Sequence, residues 1–331
     1  MQVMQLTHPG PIAGRPLALV ERPELRAAPG DLVVRVTACG VCRTDLQLVE
    51  GDLRAKTLPI IPGHQVVGRV VEVGVGVTGW RVGDRVGAAW LGGTCGACAK
   101  CKEGRENLCS RAELVGWDRD GGFATQIAVR ADYALRLPDS FDDFAAAPLL
   151  CGGVIGYRSL KLAGIRPGGR VGLYGFGASA LIALQIARHW GCRVFVCTRS
   201  DAERTRALQM GAEWAGGYED PPPERLDSAV TFAPVGQVVH AALHALDRGG
   251  TVAVNAIHLD RVPGFSYDAL WWERNLRSVA NFTRADAVEL LQLASTIPIR
   301  TTYEVYSLPR ANDALTRLKA GKVSGAAVLS V

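Results

Sequence analysis

The chain has 331 residues, of which 48 % are hydrophobic and 21 % charged, a composition typical of folded proteins rather than of disordered chains. Its 37 basic and 32 acidic residues give a net charge of +5 and form no run of five or more Lys or Arg, which argues against nucleic-acid and anionic-membrane partners. The sequence has no signal peptide and no apolar stretch long enough to span a bilayer, so a cytoplasmic location is expected.

The first part of the chain carries short β-type runs that are separated by glycine. Between about residue 17 and residue 137 these runs are DLVVRV, QVVGRVVEVG, DRVGAAW, ATQIAV and ADYALRL. Such spacing predicts a compact, largely β domain.

After Cys151 the pattern changes to alternating strands and helices. Buried strands are predicted at 169–175, 192–198, 226–233 and 251–257, and amphipathic helices at 178–191, 201–212 and 236–250. Three prolines at 221–223 predict a surface loop, and the chain ends with a helix at 285–295, another helix and a closing strand. Alternation at these lengths is typical of a doubly wound parallel sheet, so the fold class is α/β with a β-rich domain in front.

Nine cysteines in a chain without an export signal point to metal or catalysis before disulfides. Four of them form a C-x2-C-x2-C-x7-C array: Cys95, Cys98, Cys101 and Cys109. Thiolates at this spacing can close a tetrahedron around Zn²⁺, which predicts a structural zinc site without an open position. An iron–sulfur cluster is the sharper alternative, but the array lacks the x3-C-P spacing and its loop is charged. Reactive surface cysteines are the other alternative.

A second, dispersed set of possible metal ligands consists of Cys42, His64 and Cys151. No spacing rule joins them, and each alone could have a purely structural role. Their context favours a site, because His64 stands between a Pro-Gly turn and a glycine-bearing strand. Cys151 falls where the β-type pattern gives way to βαβ units.

The segment YGFGASA predicts a dinucleotide site. Gly175, Gly177 and Ala180 make a G-x-G-x-x-A turn that follows a strand and opens a helix. The first glycine permits the tight turn, the second lets a pyrophosphate approach the backbone, and the alanine packs helix on strand. The amino terminus of the helix would then face the diphosphate.

The end of the next strand reads Thr198-Arg199-Ser200, where an acidic residue would be expected to bind the ribose 2′-hydroxyl of NAD. A guanidinium between two hydroxyls suits a 2′-phosphate instead, and Arg204 could assist. NADP(H) is therefore favoured over NAD(H), with a solvated arginine as the alternative.

In order along the chain, GVCRTD, PGHQVVG, the four-cysteine segment, PLLCGGVIGY and YGFGASA resemble the zinc-dependent alcohol dehydrogenases of the medium-chain dehydrogenase/reductase superfamily. The resemblance covers essentially the whole chain. It implies a GroES-like catalytic domain over 1–153 that holds both zincs, a Rossmann cofactor domain over 154–279, and a return to the catalytic domain over 280–331.

The resemblance also implies roles for individual residues. Cys42, His64 and Cys151 match the catalytic zinc ligands, which leaves the fourth position for water or substrate. Asp45 matches the carboxylate that orients the ligand histidine, and Thr44 matches the hydroxyl that accepts the alcohol proton.

Two more residues match positions around the bound molecules. Arg43 matches a residue near the cofactor pyrophosphate, and Trp90 matches an aromatic residue that narrows the substrate pocket in relatives acting on small primary alcohols. Cys39, which precedes Cys42 at C-x2-C spacing, is interpreted as a packing residue.

The sequence departs from the family pattern at three positions, and each departure removes a charge or a titrating group. Gln47 replaces the histidine that ends the proton relay, Gln65 replaces the glutamate after the ligand histidine, and Ala326 stands where an arginine often supports the pyrophosphate. No zinc ligand is lost, so activity is expected with an altered rate and pH profile.

The expected function is reversible oxidation of an alcohol to an aldehyde or ketone, with two zincs per chain and hydride transfer to or from NADP(H). The expected partners are a small-molecule alcohol or aldehyde and identical chains in a dimer or tetramer. Two alternatives are a zinc-free quinone or enone reductase on the same fold and a non-enzymatic zinc-binding interaction protein.

Overall fold

Two units separate in the computed structural model, which describes all residues from Met1 to Val331. The β-rich unit comprises Met1–Cys151 and Asn281–Val331, and the parallel-sheet unit comprises Gly152–Ala280. The second unit is therefore an insertion into the first along the chain.

The regular elements of residues 1–151 are mostly strands. The strands are β1 (Gln2–Leu6), β2 (Leu17–Glu21), β3 (Asp31–Val41), β4 (Gln65–Val73), β5 (Arg85–Ala88), β6 (Leu91–Gly93), β7 (Glu113–Leu114) and β8 (Gln126–Arg130). The helices are α1 (Arg43–Glu50), α2 (Ala99–Lys102) and α3 (Asp143–Ala146).

Residues 152–280 alternate between helix and strand as predicted. The elements in chain order are α4 (Gly152–Leu162), β9 (Arg170–Tyr174), α5 (Ala178–His189), β10 (Arg193–Cys197), α6 (Asp201–Gln209), β11 (Trp214–Gly216), β12 (Leu226–Thr231), α7 (Gly236–Ala245), β13 (Leu246–Val254) and β14 (Asn275–Ser278). The remaining elements belong to the β-rich unit: α8 (Arg284–Thr296), β15 (Tyr303–Ser307), α9 (Ala311–Lys319) and β16 (Ala326–Ser330).

Strand β3 is the centre of the β-rich unit. The sheet has the order β15-β16-β3-β4-β5, and β8 also pairs with β3. Strands β3 and β4 are antiparallel, and Gly40 pairs with Gln65. Because the end of β3 therefore lies beside the start of β4, Cys42 and His64 become neighbours although 22 positions separate them.

The six strands of the parallel-sheet unit have the order β11-β10-β9-β12-β13-β14 and pair in parallel throughout. The chain leaves β11 at one edge and returns beside β9 with β12, which places the topological switch point between β9 and β12. In sheets of this kind, ligands bind outside the carboxyl ends of the strands at that point. The predicted doubly wound sheet is confirmed.

Three local predictions were wrong or incomplete. The helix expected over 236–250 ends at Ala245, because Leu246 is already extended and pairs with Leu226 of β12. The run ADYALRL, expected to be a strand, begins with a 3-10 turn at Ala131–Tyr133, and only Leu135 makes a strand bridge. The hydroxyl of buried Tyr133 lies 2.6 Å from Thr94 Oγ1. Helix α1 was not predicted at all.

No helix has both the length and the apolar character that crossing a membrane requires.

Candidate functional site

Cys42 is the amino-terminal cap of helix α1. Its Sγ accepts a hydrogen bond from the Thr44 backbone N–H at 3.3 Å, and its own N–H donates to Asp45 Oδ2 at 2.8 Å. This reciprocal arrangement satisfies two backbone donors that a helix start leaves open. The local sequence Cys-Arg-Thr-Asp therefore begins a helix and also fixes the thiol at its end.

His64 lies directly beside this thiol. Its Nε2 atom is 3.3 Å from Cys42 Sγ, and its Nδ1 atom is 3.2 Å from Asp45 Oδ1. The same oxygen of Asp45 accepts from the Gly63 N–H at 3.0 Å. The carboxylate thus selects the tautomer with a proton on Nδ1, which leaves the Nε2 lone pair directed at the sulfur side.

Cys151 completes the group, and its Sγ lies within 4.8 Å of the ligand atoms of Cys42 and His64. The hydrogen bond from Cys151, together with the charge of His64, holds the pKa of Cys42 well below its usual range, while that bond and burial raise the pKa of Cys151. Burial alone would lower the pKa of His64, but the charges of Cys42 and Asp45 outweigh it and raise that pKa. Burial raises the pKa of Asp45.

Two thiol sulfurs and one imidazole nitrogen form a donor set that fits Zn²⁺. A sulfur about 2.3 Å and a nitrogen about 2.0–2.1 Å from a tetrahedral ion lie about 3.6 Å apart, close to the 3.3 Å between Cys42 and His64. Three protein ligands leave one coordination position open, as catalytic zinc sites require. The structure therefore brings together the dispersed set expected from the sequence, with Asp45 behind His64.

An aromatic wall flanks this centre. The ring of Trp90 lies 5.9 Å from the ring of His64, and Trp117 stacks on Trp90 at 6.2 Å with an interplanar angle of 20°. The indole of Trp117 is held by a 2.9 Å hydrogen bond from its Nε1 to the carbonyl of Arg54. Trp117 was missed from the sequence, and no spacing signal connects it with Trp90.

The four-cysteine segment forms a second group of possible metal ligands. Sulfur separations are 3.9 Å for Cys95 and Cys101, 3.6 Å for Cys98 and Cys101, and 3.5 Å for Cys95 and Cys109. Two sulfurs about 2.3 Å from a tetrahedral ion lie about 3.8 Å apart, so the four thiols fit a closed Zn²⁺ site.

Hydrogen bonds favour the thiolate form of two of these sulfurs, whereas at Cys98 a backbone hydrogen bond from Cys101 is outweighed by burial and hydrogen bonds with the other thiols, which raise its pKa to about 11. Hydrogen bonds from the backbone of Ala97 and Cys98 lower the pKa of Cys95 to about 5, and a hydrogen bond with the Thr94 side chain lowers the pKa of Cys101. Because thiolates are the metal-binding form, this environment favours metal at neutral pH.

The glycine turn of the parallel-sheet unit has the geometry of a dinucleotide site. Gly175 has a φ of +94°, and a Cβ on it would meet Ala233 N at 3.1 Å, so both conformation and space require glycine. Gly177 caps α5, and a Cβ on it would meet nothing within 4 Å. The space beside Gly177 is therefore open at a helix start, where a pyrophosphate can approach. Ala180 is fully buried.

A buried polar atom lies at the switch point of the same sheet. Thr231 ends β12 beside Tyr174 of β9, and its Oγ1 is buried without a hydrogen-bond partner. Such an orphaned group is uncommon in folded proteins. It agrees with a polar ligand at this edge, although the sequence carried no signal for it.

Thr198, Arg199 and Ser200 follow β10 without an acidic residue among them, but an acidic side chain of the next helix lies beside them. Glu203, in the first turn of α6, reaches back so that its carboxylate accepts a hydrogen bond from the buried Thr198 hydroxyl. Ser200 caps α6 by accepting from the Glu203 N–H at 3.3 Å. The S-x-x-E pattern of a capping box is the signal that could have placed Glu203 here.

Arg199 and Arg204, which follow β10, differ in whether their guanidinium groups already have partners. Arg204 is bound to Asp201 and, at 2.8 Å, to the carbonyl of Thr198. Arg199 is exposed and makes no ion pair. Only Arg199 is therefore free to meet an incoming phosphate.

The remaining predicted positions of the β-rich unit lie as follows. Arg43 is exposed at the start of α1, Thr44 and Gln47 are half-buried on that helix, and Gln65 is buried against Gly40. Ala326 is buried at the start of β16, and Cys39 lies in the hydrophobic core of the unit.

Two family descriptions match the chain. Residues 28–139 match the alcohol dehydrogenase GroES-like domain, and residues 179–296 match the zinc-binding dehydrogenase domain. The first match lies in the β-rich unit, and the second begins at helix α5 behind the glycine turn.

Relatives match over nearly the full length. A probable alcohol dehydrogenase AdhA of Mycobacterium tuberculosis is 48 % identical over 100 % of this chain and 97 % of the relative. A cinnamyl alcohol dehydrogenase from Sorghum bicolor has a TM-score of 0.90 at 26 % identity, over 99 % of this chain and 97 % of its own. A cobalt- and zinc-bound thermostable alcohol dehydrogenase from Pyrobaculum aerophilum has a TM-score of 0.91 at 25 % identity, over 100 % and 99 %. The expected GroES-like and Rossmann fold class is confirmed.

Proposed function

The chain belongs to the zinc-dependent alcohol dehydrogenases of the medium-chain dehydrogenase/reductase superfamily, and from that premise we propose that it interconverts a small alcohol and its aldehyde or ketone. The convergence of Cys42, His64 and Cys151 carries the proposal, because three soft or borderline ligands with one open position suit a catalytic zinc. The four-cysteine group, by contrast, suits a structural zinc. We therefore propose two zincs per chain, which the metal-bound Pyrobaculum aerophilum relative supports.

The residues of the centre have separate tasks in the proposed reaction. Bound zinc would supply Lewis acidity that lowers the pKa of the substrate hydroxyl. Asp45 holds His64 in the tautomer that presents Nε2. To Thr44, which is half-buried two residues beyond the capping thiol, we assign acceptance of the substrate proton by its hydroxyl, as the family resemblance implies.

Proton exit from this centre differs from the family pattern. Gln47 lies one helical turn beyond Thr44 on the same helix and cannot titrate. The proton therefore leaves to water or through another group.

Hydride transfer is the task of the cofactor. NAD(P) would accept the hydride at its nicotinamide ring and return it in the reverse direction. The turn at Gly175 and Gly177 is proposed to bind its pyrophosphate. The role of Arg43 stays the expectation that the family resemblance gives. The unpaired atom of Thr231 at the switch point supports the same placement.

For the cofactor preference we propose NADP(H) over NAD(H). Arg199 supports it as an exposed guanidinium without an ion pair, next to Ser200 at the end of β10. Glu203 opposes it, since its carboxylate would repel a 2′-phosphate; the hydrogen bond from Thr198 fixes the position of this carboxylate and leaves its charge in place. The balance of these two charges decides the preference.

The substrate is proposed to be a compact primary alcohol or aldehyde. The position of Trp90 supports this, because its indole lies beside His64 with Trp117 stacked behind it and would restrict a branched group at that point. Such rings also offer an apolar surface to the carbon chain of the substrate.

We propose in addition that the enzyme is cytoplasmic and forms a homo-oligomer. Strand β14 supports self-association, since all four of its residues are exposed at the edge of the sheet and leave backbone groups unpaired. Light scattering of the purified protein tests this, and a monomer at micromolar concentration would reject it.

The decisive experiment combines metal analysis with turnover. We expect about two zincs per chain, one lost in Cys151→Ser and the other in Cys101→Ser. We expect reduction of simple aldehydes with NADPH and more slowly with NADH. Failure to turn over any simple aldehyde with either cofactor, in protein that contains both zincs, would reject the function. A preference for NADH would reject only the role of Arg199.

A further inference from the structure

We propose that His240 and His244 form a third metal site, a two-imidazole chelate for a divalent transition cation at the end of helix α7. The two histidines stand four residues apart in VHAALH, so the helix brings their side chains to one face. Their Nε2 atoms are 3.1 Å apart and their ring centroids 4.3 Å. Neither residue takes part in the alcohol chemistry, and the inference does not depend on the proposed function.

The separation of the two nitrogens has the value that a shared ion requires. Two nitrogens about 2.0–2.1 Å from one ion lie about 2.9 Å apart at a right angle and about 3.4 Å apart at the tetrahedral angle. The observed 3.1 Å falls between these limits without any movement of the backbone. The H-x3-H spacing on a helix is also the arrangement that holds zinc in helical metalloprotease sites.

Both imidazoles must be neutral to bind a metal, and the surroundings favour this. Burial, the neighbouring His240 and the charges of Arg225 and Arg274 lower the pKa of His244. The same two arginines repel a cation, but His244 is exposed, so salt screens this repulsion. Without a metal, one imidazole can donate a hydrogen bond to the other, and the ion would take the place of that proton.

The donor set predicts which ions bind. Imidazole nitrogens favour Ni²⁺, Cu²⁺ and Zn²⁺, whereas Mg²⁺ and Ca²⁺ prefer oxygen ligands. No third Cys, His, Asp or Glu joins these nitrogens within 4.8 Å, because the close-donor groups of the chain are the two cysteine-containing centres. Water would complete the coordination, so we expect binding that is exchangeable and weaker than at those centres.

The test is calorimetric titration of zinc-loaded protein with Ni²⁺, with zinc release followed in the same samples. We expect one Ni²⁺ per chain to bind without release of zinc, and Mg²⁺ to give no signal. His240→Asn and His244→Asn should each weaken Ni²⁺ binding at least tenfold. His189→Asn, which removes an exposed histidine from the last turn of another helix of the same unit, should leave it unchanged.

Two results would overturn the proposal. Equal Ni²⁺ binding by the wild type and by the His240→Asn, His244→Asn double variant would show that the pair is only a hydrogen bond. In protein freed of loosely bound ions, so that it holds only the zinc of the two cysteine-containing groups, binding that releases an equivalent of zinc would place the Ni²⁺ at one of those groups instead. Circular dichroism of each variant shows whether it is folded, since both histidines lie at the surface side of α7.

Discussion

Asp45 Oδ1 lies 3.2 Å from Nδ1 of His64, and each side chain is only 2 % exposed. The carboxylate of Asp45 thereby orients the imidazole and also accepts hydrogen bonds from the backbone N–H groups of Cys42 and Gly63. We expect Asp45→Asn to lower the zinc affinity of the Cys42, His64 and Cys151 group, or the activity, about 10- to 100-fold. Loss of a hydrogen-bond partner behind a metal ligand usually has an effect of this size. Competition with a chelator and kcat/KM for an aldehyde measure this.

The matched control for this variant is Asp52→Asn, which removes an exposed carboxylate just after the same helix. It should retain zinc like the wild type. Equal zinc retention in Asp45→Asn and Asp52→Asn would mean that the carboxylate does not support His64 as a ligand.

Gln47 offers a test of the proton path. In Gln47→His, the new imidazole is neutral above its ordinary pKa of about 6.5 and can accept a proton there, but not below. For alcohol oxidation, the ratio of kcat/KM in the variant to kcat/KM in the wild type should therefore rise as pH increases from about 5.5 to 8. We expect this ratio to rise by roughly tenfold at most, which is less than a fully effective general base contributes. Values of kcat/KM against pH measure the gain, and Gln47→Asn is the non-titrating control. Superimposable profiles would place position 47 outside the relay.

Arg199 tests the cofactor preference. Loss of charge-assisted hydrogen bonds worth about 1.5–3 kcal/mol should lower kcat/KM for NADPH about 10- to 100-fold in Arg199→Gln. The value for NADH should stay within about twofold. Arg166→Gln is the control, because Arg166 is exposed and precedes β9, away from the carboxyl ends of the strands. A parallel loss with both cofactors would exclude a contact to the 2′-phosphate.

The glycine turn and the Glu203 carboxylate differ in how directly the sequence predicts them. The positions of Gly175 and Gly177 could be predicted because the turn follows directly from backbone sterics and local spacing. Glu203 was missed because its role depends on a side chain that folds back over the helix start to Thr198. Local sequence patterns therefore predict the backbone conformation of a turn. The charge at a binding site also depends on the conformations of long side chains from neighbouring elements.

The group of Cys42, His64 and Cys151 illustrates the same division at longer range. Cys42 and His64 meet because β3 and β4 pair in one register, which a single sequence does not reveal. Family resemblance supplied the grouping. The four-cysteine segment needed no such help, since its ligands lie within 15 consecutive residues.

Asp227 predicts a pH-dependent contribution to stability. Hydrogen bonds from Arg170, at 2.6 Å from the side chain and 2.7 Å from the backbone N–H, hold the pKa of Asp227 below its ordinary value. A lowered pKa stabilises the fold above the unfolded value of about 3.9, and that contribution disappears as pH falls through the folded value. Because the pair is largely exposed, we expect about 1 kcal/mol at most.

Asp227→Asn should therefore lower Tm by about 2–4 °C at pH 7 and by less near pH 3.5, with thermal circular dichroism as the measurement. Glu219→Gln, an exposed carboxylate without an ion pair in the same unit, should show no such difference. Only the difference between variant and wild type matters, because the proposed thiolate-bound zinc would be lost from both at low pH. A deficit that stays constant from pH 7 to pH 3.5 would argue against the charge as its cause.

Trp90 tests the shape of the substrate pocket. Its ring lies 5.9 Å from His64 and is backed by Trp117, so Trp90→Ala should open space next to the proposed metal. We expect kcat/KM for a branched or aromatic aldehyde to rise about tenfold relative to acetaldehyde, since one methylene in a pocket is worth about 10- to 200-fold. Zinc content should remain unchanged, because the indole supplies no ligand. Trp80→Ala is the control, as that indole packs under Arg136 at 3.9 Å in the same unit. If both variants keep the wild-type ratio, Trp90 does not line the pocket.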